Sequence, residues 1–156
     1  MLRSVAVVFG GYSMVMLEID RRLQRTGGPG IIGFELAGDD APTVLAQWGE
    51  DGRRLARLSL RLDFGYMASY GALTALLLGR ARRRLGHGTS VQALVAAAVA
   101  CDAVEGVALL STLDGHRSCA PLARRAALTK FALIAACLGY AGSSAIVHRI
   151  SPACLR

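Results

Sequence analysis

In the stretch VACDAVEGVALL, Val99–Leu110, two carboxylates, Asp102 and Glu105, stand three residues apart in otherwise apolar surroundings. Residues at i and i+3 share one face of a helix. A charged side chain near the middle of a membrane-spanning helix costs about 2.5–3.5 kcal/mol on insertion scales, so this face must turn inward and find partners. Other apolar blocks supply them. LDFGYMASY sets Asp63, Tyr66 and Tyr70 on one stripe at i, i+3 and i+7, and the single lysine, Lys130, lies in the last block. A pair between Lys130 and Glu105, or Asp102, is the simplest way to offset the burial of either charge.

The charges do not balance. Asp63, Asp102 and Glu105, joined by Glu35 from a glycine-rich segment, face one ammonium, with Arg61 at the rim. The excess requires a held proton or a bound cation. Three chemistries are open: a satisfied polar network that fixes helix register, with Tyr66 and Tyr70 as hydrogen-bonding partners; a site for a proton, cation or small polar ligand; and metal-dependent or acid/base catalysis. The last is the weakest. Carboxylates alone hold a hard cation, but transition metals recruit histidine, and His87, His116 and His148 fall in connections or at a span end. GGPGIIG lacks the lysine of a phosphate-binding loop, and neither G-x-S-x-G nor H-E-x-x-H occurs, so no catalytic residue is assigned and no cofactor is expected.

These residues must be held by elements suited to lipid. The 156 residues are 53% hydrophobic but only 6% aromatic, and the charges clump between apolar blocks. Four blocks are read as spans, at about 2–17, 58–79, 90–113 and 126–147, giving an all-α four-transmembrane-helix bundle in a single domain. The first block is short and interrupted by Gly10-Gly11. It is read as a retained helix and not a cleaved signal, because no A-x-A-like site follows it. With four spans, the first and third connections lie on the same face, so Asp63, Glu105 and Lys130 fall at comparable depths. Counting from Ser90 at about 1.5 Å per residue, Asp102 lies about 18 Å into its span and Glu105 about 22 Å.

The long first connection, Glu18–Arg57, divides in two. GGPGIIGFELAG is too rich in glycine for a helix and too apolar for an ordinary loop, so it is expected to dip back into the bundle as a re-entrant-like segment. DDAPTVLAQWGEDG reads as a short helix with Asp39 or Asp40 as N-cap, Pro42 in its first turn and Gly49 or Gly52 as its stop. Val44, Leu45 and Trp48 share its apolar face. The helix is expected to lie in the membrane interface with Trp48 as headgroup-level anchor.

The net charge of +7 comes from 17 arginines and one lysine, which mostly flank the apolar blocks. Such flanking charge belongs to lipid interfaces, and no nucleic-acid partner is expected. Arg80, Arg82, Arg83 and Arg84 form the densest basic cluster; by the positive-inside rule they lie in the cytoplasm, with both termini, in a cell inner (plasma) membrane. Cys101, Cys119, Cys137 and Cys154 have no C-x-x-C spacing and read as packing residues. Small residues in AAAVACDAVEG and AACLGYAGSSA suit close helix contact, and GYAGSSA is a candidate dimer face.

The order GIIGFELAG, Trp48, SLRLDFGYMASYG, DAVEG and a lysine in the last span resembles a family of small, uncharacterised bacterial integral membrane proteins with four predicted helices. The resemblance covers Gly30 to about Tyr140. It implies that Glu35, Trp48, Asp63, Tyr70, Asp102, Glu105 and Lys130 are the matching positions. Gly106 stands where that pattern has asparagine, so an amide hydrogen bond there is lost or replaced. The resemblance implies topology and no activity. The expected function is a non-enzymatic accessory or assembly protein whose partners are the bilayer and either a larger membrane complex or a second copy; the alternative is proton, cation or small-ligand binding through Asp63, Asp102 and Glu105.

Overall fold

The computed structural model describes residues 1–150, apart from the side chains of 117 and 145–150; Cys154 and the side chain of His148 lie outside the described residues. Five α-helices follow in order: α1 (Leu2–Gln24), α2 (Ile31–Ala37), α3 (Ala41–Leu85), α4 (Ala93–Leu113) and α5 (Ala120–Ile150). Short 3₁₀ turns, Gly38–Asp40, Thr89–Gln92 and Arg117–Cys119, enter α3, α4 and α5. Four of the helices are long, and the segments Leu2–Gln24, Thr89–Leu113 and Ala120–Ser144 are long and apolar enough to cross a membrane. This makes the chain a membrane protein of helical construction. The first block, read as short, is an unbroken helix of 23 residues, about 35 Å. Gly10 and Gly11 do not interrupt it.

The α4–α5 pair forms the spine of the bundle. On α4 the buried positions Val95, Ala98, Asp102, Glu105, Leu109 and Thr112 alternate by three and four residues, with Gly106 and Ala108 buried beside them. On α5 Ala120, Ala123, Ala127, Lys130, Cys137 and Ser144 keep the same phase. That alternation is the spacing of a helix–helix seam, and the alanines on its α5 side let the backbones approach. Asp102, Glu105 and Lys130 therefore occupy seam positions, facing the partner helix instead of lipid. α3 packs against both helices, and α1 lies mainly along α3. Phe9 stacks on Tyr66 with ring centroids 5.4 Å apart, and Tyr12 beside Gly65, with Thr26 beside Gly52, makes α1 antiparallel to α3.

The first connection departs from expectation in two places. Ile31–Ala37, expected to be non-helical, is a helix of seven residues. Its own propensity is poor, and tertiary contacts supply what it lacks: the Ile31 N–H donates to Asp20 Oδ1 at 2.7 Å, an N-cap delivered from α1, and Phe34 is buried. Gly30 is required there, since a Cβ would meet the Asp20 carboxylate. The expected entry into the bundle is present as this helix.

The second correction concerns Trp48, which is 2% exposed and not at the surface. Its indole N–H donates to the Pro29 carbonyl at 2.8 Å, and its ring packs at 4.9 Å on Phe34. The TGGPG turn folds over it because Gly28 and Gly52 leave room where a Cβ would strike the indole. The helix that carries Trp48 starts after Asp40 with Pro42 in its first turn, as expected, although no side chain caps it. It stops at Gly49, whose φ of 60° and ψ of −162° suit glycine alone. Gly52 lies inside the helical stretch that follows. Arg53 Nε donates to the Leu45 carbonyl at 3.0 Å, satisfying an acceptor that the break leaves free.

Beyond Gly49, α3 continues for residues 50–85, about 54 Å, longer than the roughly 30 Å hydrocarbon core. Arg80, Arg82, Arg83 and Arg84 stand in its last turns and not in a loop, ahead of Gly86 in the left-handed conformation. At the opposite end Arg57 pairs with Asp114 at 2.6 Å, which ties the start of this stretch to the third connection.

Candidate functional site

Where α2, α3, α4 and α5 meet, Lys130 is the centre of the polar residues singled out by the sequence. Its ammonium lies 2.9 Å from Asp102 Oδ1, 2.6 Å from Glu105 Oε2 and 3.7 Å from Glu35 Oε2. The Asp102 contact is a well-aligned hydrogen bond. Glu105 Oε2 is close to the ammonium but outside hydrogen-bond alignment, so that contact is ionic. The other oxygen of Asp102 accepts from Tyr70 Oη at 2.6 Å. Asp102, Glu105 and Lys130 are 3%, 2% and 7% exposed.

Each member arrives by a different local route. Asp102 and Glu105 share the α4 seam, Lys130 answers from the α5 seam, and Tyr70 comes from a buried stripe of α3. Glu35 comes from α2, next to buried Phe34, and is brought down onto α5 by the Asp20 cap. Both alternatives for the lysine's partner are realised together, since the i, i+3 spacing presents both carboxylates to one ammonium. Asp63 is half-buried on α3 within electrostatic reach of Asp102, Lys130 and Glu35. It forms no hydrogen bond or ion pair among the described residues.

Other candidates fall outside the cluster. Tyr66 uses its ring and not its hydroxyl, lying between Phe9 and Tyr70, whose centroid is 5.8 Å away edge-on. Arg61 is exposed and makes no ion pair among the described residues. Trp48 belongs to the separate apolar core with Phe34, Leu23 and Leu109. Two residues that sequence reasoning passed over do structural work: Asp20, which caps α2, and Asp114, which pairs with Arg57. The EIDRR run hid Asp20 among surface charges, and only its partner eleven residues away marks it.

The point at which the carboxylates converge is filled by the lysine ammonium, the position a bound cation would otherwise take. Among the described residues no group of three His, Cys, Asp or Glu side chains is placed to hold a metal ion. Two oxygens are left without a donor, Glu35 Oε2 and Glu105 Oε2. Two surface hollows border α1, one of about 340 Å³ between Val5, Val8, Gly65, Ala68 and Ala72, the other beside Met14 and Ile19; neither is lined by a cluster residue. Among the described residues Cys101, Cys119 and Cys137 form no disulfide.

Comparison with protein families, with curated proteins and with solved structures gives no match to this chain.

Proposed function

We propose that the chain is a small four-span protein of the bacterial inner membrane, with both termini in the cytoplasm, acting as a non-enzymatic accessory or assembly subunit. Its Glu35, Asp102, Glu105, Lys130 and Tyr70 cluster is an internal clasp. The observation that carries this reading is one buried ammonium held by carboxylates from two different helices, α2 and α4, on the seam of a third. A buried charge of this kind is costly to strand, so it fixes which helix faces meet. The likeness of FELA, LDFGY and DAVEG to small four-helix bacterial membrane proteins belongs to this proposal. So does the second half of α3 as the fourth span: its inward Asp63, Tyr66 and Tyr70 lower its hydropathy without turning polar groups to lipid. The test is a double-mutant cycle on the clasp. Lys130→Met should unfold the protein more readily than Lys130→Met combined with Glu105→Gln; equal losses would dismiss the clasp.

One observation favours a second reading, binding of a proton or cation through Asp63, Asp102 and Glu105. Carboxylates outnumber the ammonium, and Glu35 Oε2 and Glu105 Oε2 are buried without a donor among the described residues. Infrared difference spectra across pH and with added cations, with Asp102→Asn and Glu105→Gln to assign the bands, separate the two readings. A carboxyl band that follows pH or one particular ion supports binding; a silent band supports the clasp alone.

A further inference from the structure

Acidic and basic residues divide between the two ends of the bundle. The eleven acids of the chain all lie at 18–63 or 102–114, so that 1–17, 64–101 and 115–156 contain none. The first half of α1, the far half of α3, the near half of α4 and all of α5 are therefore acid-free. The end formed by the start of α1, the end of α3 and the start of α4 holds Arg3, Arg80, Arg82, Arg83 and Arg84. Along α3 Arg80 is 17 residues from Asp63, about 26 Å, well beyond the screening length of about 8 Å at physiological salt. Among the described residues no acid pairs with these guanidinium groups.

The carbonyls at the end of α3 account for part of this charge. Arg80 Nη1 reaches the Leu76 carbonyl at 3.4 Å, and cations in a last helical turn favour the helix dipole. They leave Arg82 unexplained: its Nε is buried yet has no acceptor among the described residues. Arg83 and Gln92 both approach Gly79, so donors from α3 and from the turn before α4 gather at one place. That turn, Thr89–Gln92, is the edge of an apolar segment long enough to span a membrane, Thr89–Leu113. The arginines thus stand beside the level at which lipid headgroups meet such a segment.

We propose that Arg80, Arg82, Arg83 and Arg84, with Gln92, form a binding site for the headgroup phosphate of an anionic phospholipid. Guanidinium forks match phosphate oxygens in pairs, and a phosphate would supply the acceptor that Arg82 Nε lacks. The net negative charge of the lipid answers the absence of acids at this end. Its acyl chains would run along the apolar flanks of α3 and α4. The site is independent of the Lys130 cluster.

The test uses the full chain in a neutral detergent, with native mass spectrometry titrating phosphatidylglycerol, phosphatidylcholine and inorganic phosphate. Phosphatidylglycerol is expected to bind best, more weakly as salt rises. R82Q/R83Q/R84Q should weaken it on the order of 100-fold, at about fivefold per arginine. R82K keeps the charge and loses the fork, so an intermediate loss is expected, and it serves where the triple variant folds poorly. R21Q/R25Q, at the opposite end, should leave the affinity unchanged. Equal affinity for phosphatidylcholine, unchanged phosphatidylglycerol binding in the triple variant, or inorganic phosphate binding as tightly as the lipid would each overturn the proposal.

Discussion

Lys130 on α5 and Asp102 on α4 meet at 2.9 Å inside the α4–α5 seam, and Tyr70 holds the second Asp102 oxygen at 2.6 Å. The carboxylate is thus clamped from two helices at once. Both oxygens are satisfied, which sets Asp102 apart from its neighbour Glu105, one of whose oxygens has only an ionic contact.

Tyr70→Phe keeps the ring and removes one hydrogen bond to a buried carboxylate. The expected cost is about 1.5–3 kcal/mol, the range for hydrogen bonds to charged groups. Denaturant unfolding in detergent measures it; an unchanged midpoint would mean that the hydroxyl contributes nothing.

Trp48 should be shielded. Its fluorescence is expected to resist both aqueous quenchers and quenchers placed at headgroup depth, because its indole is enclosed by Pro29, Phe34 and the glycine turn. Strong quenching from headgroup depth would place it at the interface instead.

Asp20→Ala should fray α2. Losing an N-cap costs about 0.5–2 kcal/mol, and α2 has only seven residues over which to absorb it. Hydrogen exchange of the 31–37 amides is expected to accelerate while α4 exchange stays unchanged. Equal protection of 31–37 in the variant would show that Phe34 burial suffices.

The number of spans fixes the relation of the termini. Four crossings put both on one face, three put them on opposite faces, and the deciding segment is 50–85 of α3. Labelling cysteines placed at residue 3 and after residue 150 with a membrane-impermeant reagent in intact cells is expected to give equal protection of both. Opposite accessibility would remove α3 from the spans.

Much of the Lys130 site was legible because seam periodicity and rare intramembrane charge are both one-dimensional signals. The i, i+3 acids and the lone lysine announced their pairing, and Gly49 and Pro42 bounded the short helix. The helicity of Ile31–Ala37 was not legible, because its stability comes from Asp20 and from Phe34 burial and not from local propensity. Trp48 misled for a related reason: an amphipathic helix beside a membrane looks the same whether its apolar face meets lipid or a glycine turn of its own chain. Tyr66 and Tyr70 share a stripe, yet only Tyr70 points its hydroxyl at an acid; Tyr66 is taken up by Phe9 from a helix distant in sequence.

The clasp itself is tested most directly by the stabilities of wild type, Lys130→Met, Glu105→Gln and the double variant, measured by reversible unfolding in one detergent. Lys130→Met alone is expected to cost about 3–5 kcal/mol, because it leaves buried carboxylates without their ammonium. The double variant should recover a substantial part of that loss, giving a coupling energy above about 1 kcal/mol between residues in contact. Additive losses, with the double variant no more stable than Lys130→Met, would contradict the pairing on which the proposed architecture rests.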